Sequence, residues 1–576
     1  MKKIIFIAIA AVALVATSCT NLDTQDLTHK NTTNYPQTYA DAQSVLAGMY
    51  SVLNSGNYSP TFLMASELAS DDQLGGGGAN DYSTQAQDLL MSSGTDMFRP
   101  FWQDCYAGIH RANNAIETLD NCSGYPSDDQ KNQMMGEAYF MRAFYYYELA
   151  STFENIPLVL TTDPVNNPQA TPDDTWGQII SDLKQAITLM PSHPVGWQDA
   201  GHADRWTAEA LMARCWLFYT GFYQKDAATL PDGSTVAKSD VSGWIDDCVN
   251  NSGYSLVPDF RELWAYTNRC TVEDYPYTAG QGLVWAENDN AINPESMFAI
   301  KFNKFASYNG GSTPGFSNWY AVGLGMRLGM YHEDQIFPFG GGWGWGPVAP
   351  NLWDDWVKAE PNDMRRAASI CDIPSELPNY QYSCGGSDTY IQETEYSEKK
   401  QMPIQAKNAD GSLASTFEQI MYSYNAANQF QLGTIHDLIL IRFADVLLMQ
   451  SELEQNVTGI NKVRARAGLP PIAGYSDAAL QNERRWELAF EFVRWNDIRR
   501  WHIAETALAE QDGQPVYTNG VVSKNTTASN GGGYAARYKA TNGGFFPIPE
   551  SEIALSNGVL KQNAGWDGSS LYTGWR

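Results

Sequence analysis

The sequence has few cysteines, few bases and no long apolar run beyond its first residues, and each shortage excludes something. Eight cysteines occur in 576 residues. Apart from Cys19 they are Cys105, Cys122, Cys215, Cys248, Cys270, Cys371 and Cys384, odd in number and without a CxxC. Neither a disulfide framework nor a zinc site is indicated, and mostly buried free thiols are expected. Lys and Arg number 37 against 65 Asp and Glu, a net charge of −28. A chain this acidic lacks the basic surface that nucleic acid or an anionic membrane requires. The seven histidines are scattered without an HExxH, and neither GxSxG nor a phosphate-binding loop occurs. Gly323-Leu-Gly325-Met-Arg-Leu-Gly329 misses the dinucleotide spacing and has no clear strand before it. No cofactor and no metal are expected.

The N-terminus has what the rest lacks. Lys2 and Lys3 precede an unbroken apolar run from Ile4 to Val15, then Ala16-Thr17-Ser18 and Cys19. Charge, apolar stretch and small residues make a secretory signal, and the run is short of the roughly 20 residues that span a bilayer. A Cys at the cleavage point resembles the lipobox of bacterial lipoproteins, in which the thiol is acylated and becomes the first residue. The alternative is an ordinary secretory signal with an incidental Cys19. Residues 1–18 are therefore expected to be a signal peptide, and removing Lys2 and Lys3 leaves about −30 on the remainder. Nothing later in the chain is apolar enough to cross a membrane.

Residues 20–36 are polar and rich in Thr and Asn, so 19–36 reads as a tether. Helical periodicity then begins: Val45, Leu46, Met49, Tyr50 and Leu53 recur at spacings of three and four. Further amphipathic segments run over about 101–119, 131–153, 176–190, 206–223 and 241–250, punctuated by Pro126, Pro157, Pro172, Pro191 and Gly201. Successive starts some 30 to 37 residues apart point to paired-helix repeats of tetratricopeptide type. Periodicity fades over 255–430, where Gly, Pro, Asn and aromatics dominate. Helix is expected again over 438–454, 460–467 and 477–508, before a turn-rich tail. The fold class is mainly α: a helical repeat scaffold, about 37–254 and 433–510, carrying a loop-rich region over about 255–432 and a closing segment, 511–576, in one domain from 37 to 576.

Four stretches then add up. They are Glu137-Ala-Tyr-Phe-Met-Arg142-Ala-Phe-Tyr-Tyr-Tyr-Glu-Leu with Asn155-Ile-Pro157, and Leu440-Ile-Arg442-Phe-Ala-Asp445 with Asn461-Lys-Val-Arg464-Ala-Arg466-Ala-Gly468. The third is Glu483-Arg484-Arg485-Trp-Glu487-Leu-Ala-Phe-Glu491 leading to Arg494-Trp495-Asn-Asp497-Ile-Arg499; the last is Phe546-Pro547-Ile-Pro549 through Gln562-Asn563-Ala-Gly565-Trp566. In content, order and separation they resemble the SusD/RagB family of outer-membrane lipoproteins, and the lipobox belongs to the same pattern. The resemblance spans nearly all of the chain after Cys19 but is strong only in these stretches. Their own chemistry reads as scaffold: the Glu, Arg and Asp spacings allow pairing along a helix and with neighbours, and Trp486, Leu488, Phe490 and Trp495 supply packing.

The resemblance implies a glycan-binding protein, not an enzyme, anchored by lipid at Cys19 to the outer face of the outer membrane. Its implied partners are a glycan and a SusC-like TonB-dependent transporter, with ligand held by irregular loops. A sugar offers a face of slightly positive C–H groups, which favours an indole or phenol ring, and a rim of hydroxyls that needs paired donors and acceptors. In the loop-rich region Trp343 and Trp345, set between glycines, fit that need best; Trp319 and Tyr320 are further candidates, and Trp353 and Trp356 fit a short packed helix equally well. A second candidate loop holds Asp71 and Asp72, then four glycines, then Tyr82. There the carboxylates either accept sugar hydroxyls or cap a turn. Two other classes were weighed. Glycoside hydrolysis needs two carboxylates about 5–9 Å apart, which 65 acids cannot reveal by sequence. A repeat scaffold could also bind peptide in its concave face. Neutral glycans suit the charge better than anionic ones.

Overall fold

The computed structural model describes residues 35–566 except 57, 59–61, 63, 78–92, 194–200, 307–315, 328–334, 381, 383–391, 425–429, 519 and 526–532. Cys19 and Tyr82 lie outside the described residues. The architecture is mainly α. Six helices form its first half: α1 (Tyr39–Tyr50), α2 (Arg99–Thr118), α3 (Asp128–Phe153), α4 (Pro172–Leu189), α5 (Arg205–Tyr223) and α6 (Lys238–Asn251). Local chemistry sets their starts. Thr38 and Asp41 form a capping box on α1; Ser127, Thr171 and Asp204 accept the orphan N–H groups of α3, α4 and α5. Pro172 sits in the first turn of α4, where its missing N–H costs nothing. Each helix from α2 to α6 packs on the next, so the array is built from neighbours in sequence. α3 is its axis: from Gln133 to Phe153 all but Tyr139 is buried.

The array continues after a long excursion. α7 (Phe443–Glu454) packs on α6, although 191 residues separate the end of one from the start of the other. The loop-rich region is therefore an insertion between two adjacent repeat helices. Its ends are held by a strand pair, β1 (Ser296–Ile300) and β2 (Leu438–Arg442), antiparallel, with Leu438 opposite Ile300 and Arg442 opposite Ser296. The periodicity over 438–454 predicts a single helix, but its first five residues form β2. Leu-Ile-Leu-Ile is an aliphatic run that suits a strand buried on both faces, and all of it is buried.

A second expected helix, 477–508, is broken. α8 (Asp477–Glu487) ends before a turn in which Phe490 and Phe492 take φ of +64° and +69°, and α9 (Arg494–Arg500) follows. Positive φ is costly for a bulky residue and persists only where surroundings enforce it. Here the Phe492 N–H donates to the buried Glu67 carboxylate, and its ring packs between Tyr320 and Phe62, 4.9 Å from each. The break turns α9 back to pack on α5.

Charges fill the joint between array and insertion. Glu487 accepts from Arg365, Arg442 and Arg466, which also reach Glu483, Glu491 and Glu295. Lys400, from the insertion, holds Glu491 at 2.7 Å. Arg484 spans Asp445 of α7 and Asp497 of α9 at 2.7 and 2.8 Å. Arg494 takes Asp71 in a two-point contact at 2.6 and 2.7 Å, and Arg485 reaches Asp71, Asp72 and Asp355. These side chains are nearly all buried, so each charge depends on its partners. Six cysteines, five of them buried, are free.

Two outcomes follow for this joint. Arg442→Ala removes the one guanidinium that reaches Glu295, Glu487 and Glu491 together, leaving three buried carboxylates with only Arg365, Arg466 and Lys400. It should destabilise the fold by about 3–5 kcal/mol in urea unfolding, whereas Lys131→Ala at an exposed pair should cost under about 1 kcal/mol. The second concerns acid. Burial opposes ionisation of Asp71, but Arg494 and Arg485 outweigh it and hold the carboxyl at about 2, below its ordinary 3.8. A depressed carboxyl stabilises the fold above its unfolded value and loses that contribution as pH falls through the folded one. The stability gap between wild type and Asp71→Asn should therefore be full at pH 6, shrink below pH 4 and be nearly closed at pH 2. A gap independent of pH would remove Asp71 from the acid response.

Candidate functional site

The two loops singled out from sequence meet. Beyond Asp72 the chain runs antiparallel to 344–348, bridging Gln73 to Val348 and Gly76 to Trp345. Leu74 N–H donates to Pro347 O, Gly77 N–H to Gly344 O and Gly346 N–H to Gly75 O, at 2.8, 2.8 and 3.1 Å. The glycines allow this approach. A Cβ on Gly76, at φ +68°, would lie 2.3 Å from the Gly344 carbonyl, and one on Gly342 would lie 2.2 Å from that of Val322. On the other side, Met326–Arg327 pairs in parallel with Gly341–Gly342.

The candidate residues divide by burial. Asp71 and Asp72 have no exposure and are paired with Arg494 and Arg485, so the turn they form fastens the loop. Tyr320 is also fully buried, edge-on to Phe492 at 4.9 Å. Trp319 begins a short helix, Trp319–Leu324, that Asn318 caps, and is 8% exposed; Trp345 is 9% exposed behind Gly76. Both are walls of the core. Among Trp319, Tyr320, Trp343 and Trp345, Trp343 alone is half-buried. Its indole meets the edge of Trp319 at 6.4 Å, and Arg327 stacks over it at 5.5 Å while donating to its carbonyl at 3.1 Å. Trp356 is fully buried, stacked 5.0 Å from Trp486, on the packed helix Pro350–Ala359.

Further rings lie along the backbone that continues from this loop; of these the sequence singled out Trp353 and missed the tyrosines. Residues 392–396 lie along the same strip: Thr394 Oγ1 donates to Val348 O at 2.7 Å, and Val348 N–H to Tyr396 O at 3.1 Å. Half-buried Trp353 stacks on Tyr396 at 4.7 Å, with Arg366 5.0 Å above it. Gln392 and Glu393 pair with Thr518 and Tyr517, and Tyr517 stacks on Tyr382 at 3.9 Å, nearly parallel. Tyr380 meets Tyr382 edge-on at 5.1 Å and donates to Glu393, whose carboxyl burial pushes up to about 7. No periodicity marks these tyrosines, since they come from separate turns and short strands. The result is three ring groups, Trp319 with Trp343, Trp353 with Tyr396, and Tyr380 with Tyr382 and Tyr517, linked through the backbone of 344–348 and 392–396. Rings and polar groups of this kind can stack apolar faces and pair hydroxyls.

Known proteins share this architecture. A family model described as "Starch-binding associating with outer membrane" matches residues 22–217, and the SusD family model matches residues 355–566. SusD-like protein P2 of Formosa agariphila is 25% identical over 98% of this chain and 99% of its own length. A laminarin-binding SusD-like protein of known structure superposes with a TM-score of 0.67 at 24% identity, covering 92% of this chain and 100% of that one. Surface glycan-binding protein A from Bacteroides thetaiotaomicron, solved in complex with laminarihexaose, gives 0.66 at 19% identity over 92% and 100% of the two chains. With family matches over residues 22–217 and 355–566 and a relative aligned end to end, the chain belongs to the SusD/RagB family.

Proposed function

We propose that this protein captures a neutral glycan at the cell surface on the aromatic strip around Trp343, without turning it over, and passes it to a SusC-like TonB-dependent transporter. The observation that carries the reading is Trp343 itself. It is a half-buried indole braced by Trp319 and Arg327, on a loop whose backbone is fastened from two sides. A braced ring loses little freedom on binding, so stacking on a sugar face is not offset by ordering cost. The pairs Trp353–Tyr396 and Tyr382–Tyr517 offer further rings along the backbone strip that continues from this loop; Asp71, Asp72, Trp319, Tyr320 and Trp345 are its supports. Two fold relatives are described as binding laminarin or laminarihexaose, which fits a neutral ligand. Acylation at Cys19 would hold the domain beside the transporter, with residues 20–36 as slack, and raise the local concentration of captured glycan. The outer membrane is the site that the family description gives.

The test uses the soluble domain beginning after Cys19, titrated against neutral and anionic polysaccharides, with products assayed. Binding of a neutral polysaccharide with no released sugar is expected; released oligosaccharide would overturn the non-enzyme reading. Trp343→Ala should weaken that binding about tenfold and cost less stability than Trp345→Ala, because the ring is only partly buried. Trp345→Ala should instead cost about 3–5 kcal/mol of stability, as a buried wall. The reverse pattern would exchange their roles.

A further inference from the structure

A cavity of about 630 Å³ lies away from this strip, between the N-terminal ends of α3 and α5 and both the first and last parts of the insertion, and none of its lining residues belongs to the face around Trp343. Its size is within the ~300–1,000 Å³ of small-molecule sites, with room for roughly two or three sugar rings. Its lining is polar in a particular way. Lys301 is paired with Asp437 on one wall, and the lysine side chain remains 37% exposed, so donor and acceptor face the space side by side. Glu287 accepts from Asn293 at 3.2 Å, and burial together with Asp437 pushes its carboxyl up to about 7. At neutral pH it can both give and take a hydrogen bond. His436 lends Nδ1 to Glu418 at 2.9 Å, and its buried Nε2 has no partner among the described residues.

Rings and apolar groups complete the cavity. Tyr254 is fixed by donating to Asp204 at 2.9 Å, and Tyr422 lines the space as well. Ile292 lines the cavity and is 63% exposed; Phe305, next in sequence to the lining Lys304, is 76% exposed. An exposed apolar side chain in the lining of a polar cavity offers a C–H face of a sugar something to pack on. An anion would meet Asp204, Glu287 and Asp437, and a purely apolar guest would strand the paired polar groups. A pyranose satisfies both requirements, with C–H faces for the rings and hydroxyls for the pairs.

We propose that this cavity is a second carbohydrate site, which takes a short neutral oligosaccharide independently of the aromatic strip. The ligand class rests on the glycan-binding reading above; the location does not depend on Trp343. The test is calorimetric titration of the soluble domain with the neutral trisaccharides of β-1,3-glucan, β-1,4-glucan, α-1,4-glucan, β-1,4-mannan and β-1,4-xylan. Three variants accompany it. Phe305→Ala and Ala291→Trp change exposed positions, the latter placing an indole across the lining, and Trp343→Ala alters only the strip. At least one trisaccharide should bind one to one. Phe305→Ala should weaken it roughly 2- to 10-fold, Ala291→Trp should abolish it, and Trp343→Ala should leave it unchanged. Absence of binding by every trisaccharide overturns the proposal, as does binding that survives Ala291→Trp and disappears with Trp343→Ala. Polysaccharide retained without any trisaccharide binding removes the cavity and leaves the strip. Trisaccharide bound in the cavity without polysaccharide retention removes the strip and leaves the cavity.

Discussion

Buried charge joins the two halves of this molecule. The insertion leaves the helical array after α6 and returns at β2, and such a long excursion needs a fixed seat. Glu487 supplies it by accepting from Arg365 in the insertion, Arg442 at the end of β2 and Arg466 beyond α7. Moving that many ions out of water is expensive, and only mutual pairing with good geometry offsets the cost. A hydrophobic joint would tolerate sliding; a two-point guanidinium–carboxylate contact does not. The same ions then set the position of the ligand loops. Arg485 and Arg494 stand at the ends of the broken helix, and through Asp71 and Asp72 they place the turn that runs into Gly76 and Trp345. The strained turn at Phe490 and Phe492 belongs to this scheme, since it aims α9 and is itself held by Glu67.

Much of this was legible in the sequence, and the parts that were not have physical reasons. Helices α2 to α6 follow from periods of three and four bounded by Ser, Thr, Asp and Pro, because capping and amphipathicity are local. The motif Glu483 to Arg499 was readable as scaffold, because an alternation of Glu and Arg on helical spacing has few other stable uses. The β2 strand was missed because an aliphatic run of four residues fits strand and helix alike; its partner lies in β1, more than a hundred residues earlier. The break after Glu487 was missed because its cause, the Glu67 carboxylate on the Phe492 N–H, comes from the other end of the chain.

The site was half legible for a similar reason. Glycine on either side of Trp343 signals a close backbone approach, and the four glycines after Asp72 signal its other side; the structure brings these together. Composition cannot tell a ring that faces solvent from one behind it. Trp343 and Trp345 are two residues apart on one loop, yet the first is half-buried and the second is walled in by the Gly76 bridge. Asp71 and Asp72 look like sugar acceptors in isolation and are spent on Arg494 and Arg485. The tyrosines at 382, 396 and 517 carry no signal in sequence, since their ring partners, Tyr517, Trp353 and Tyr382, come from distant parts of the chain.

The account's central claim is that a clamp of buried ions presents Trp343 as a preformed platform for a sugar ring. The most direct measurement is a crystal structure of the soluble domain with a neutral oligosaccharide bound. The account predicts a sugar ring stacked on the Trp343 indole, with the loop from Gly340 to Val348 and its bridges to Gln73 and Gly76 unmoved from the free form. A ligand seated with Trp343 bare, or a loop that must unzip from Gly76 to receive it, would contradict the account.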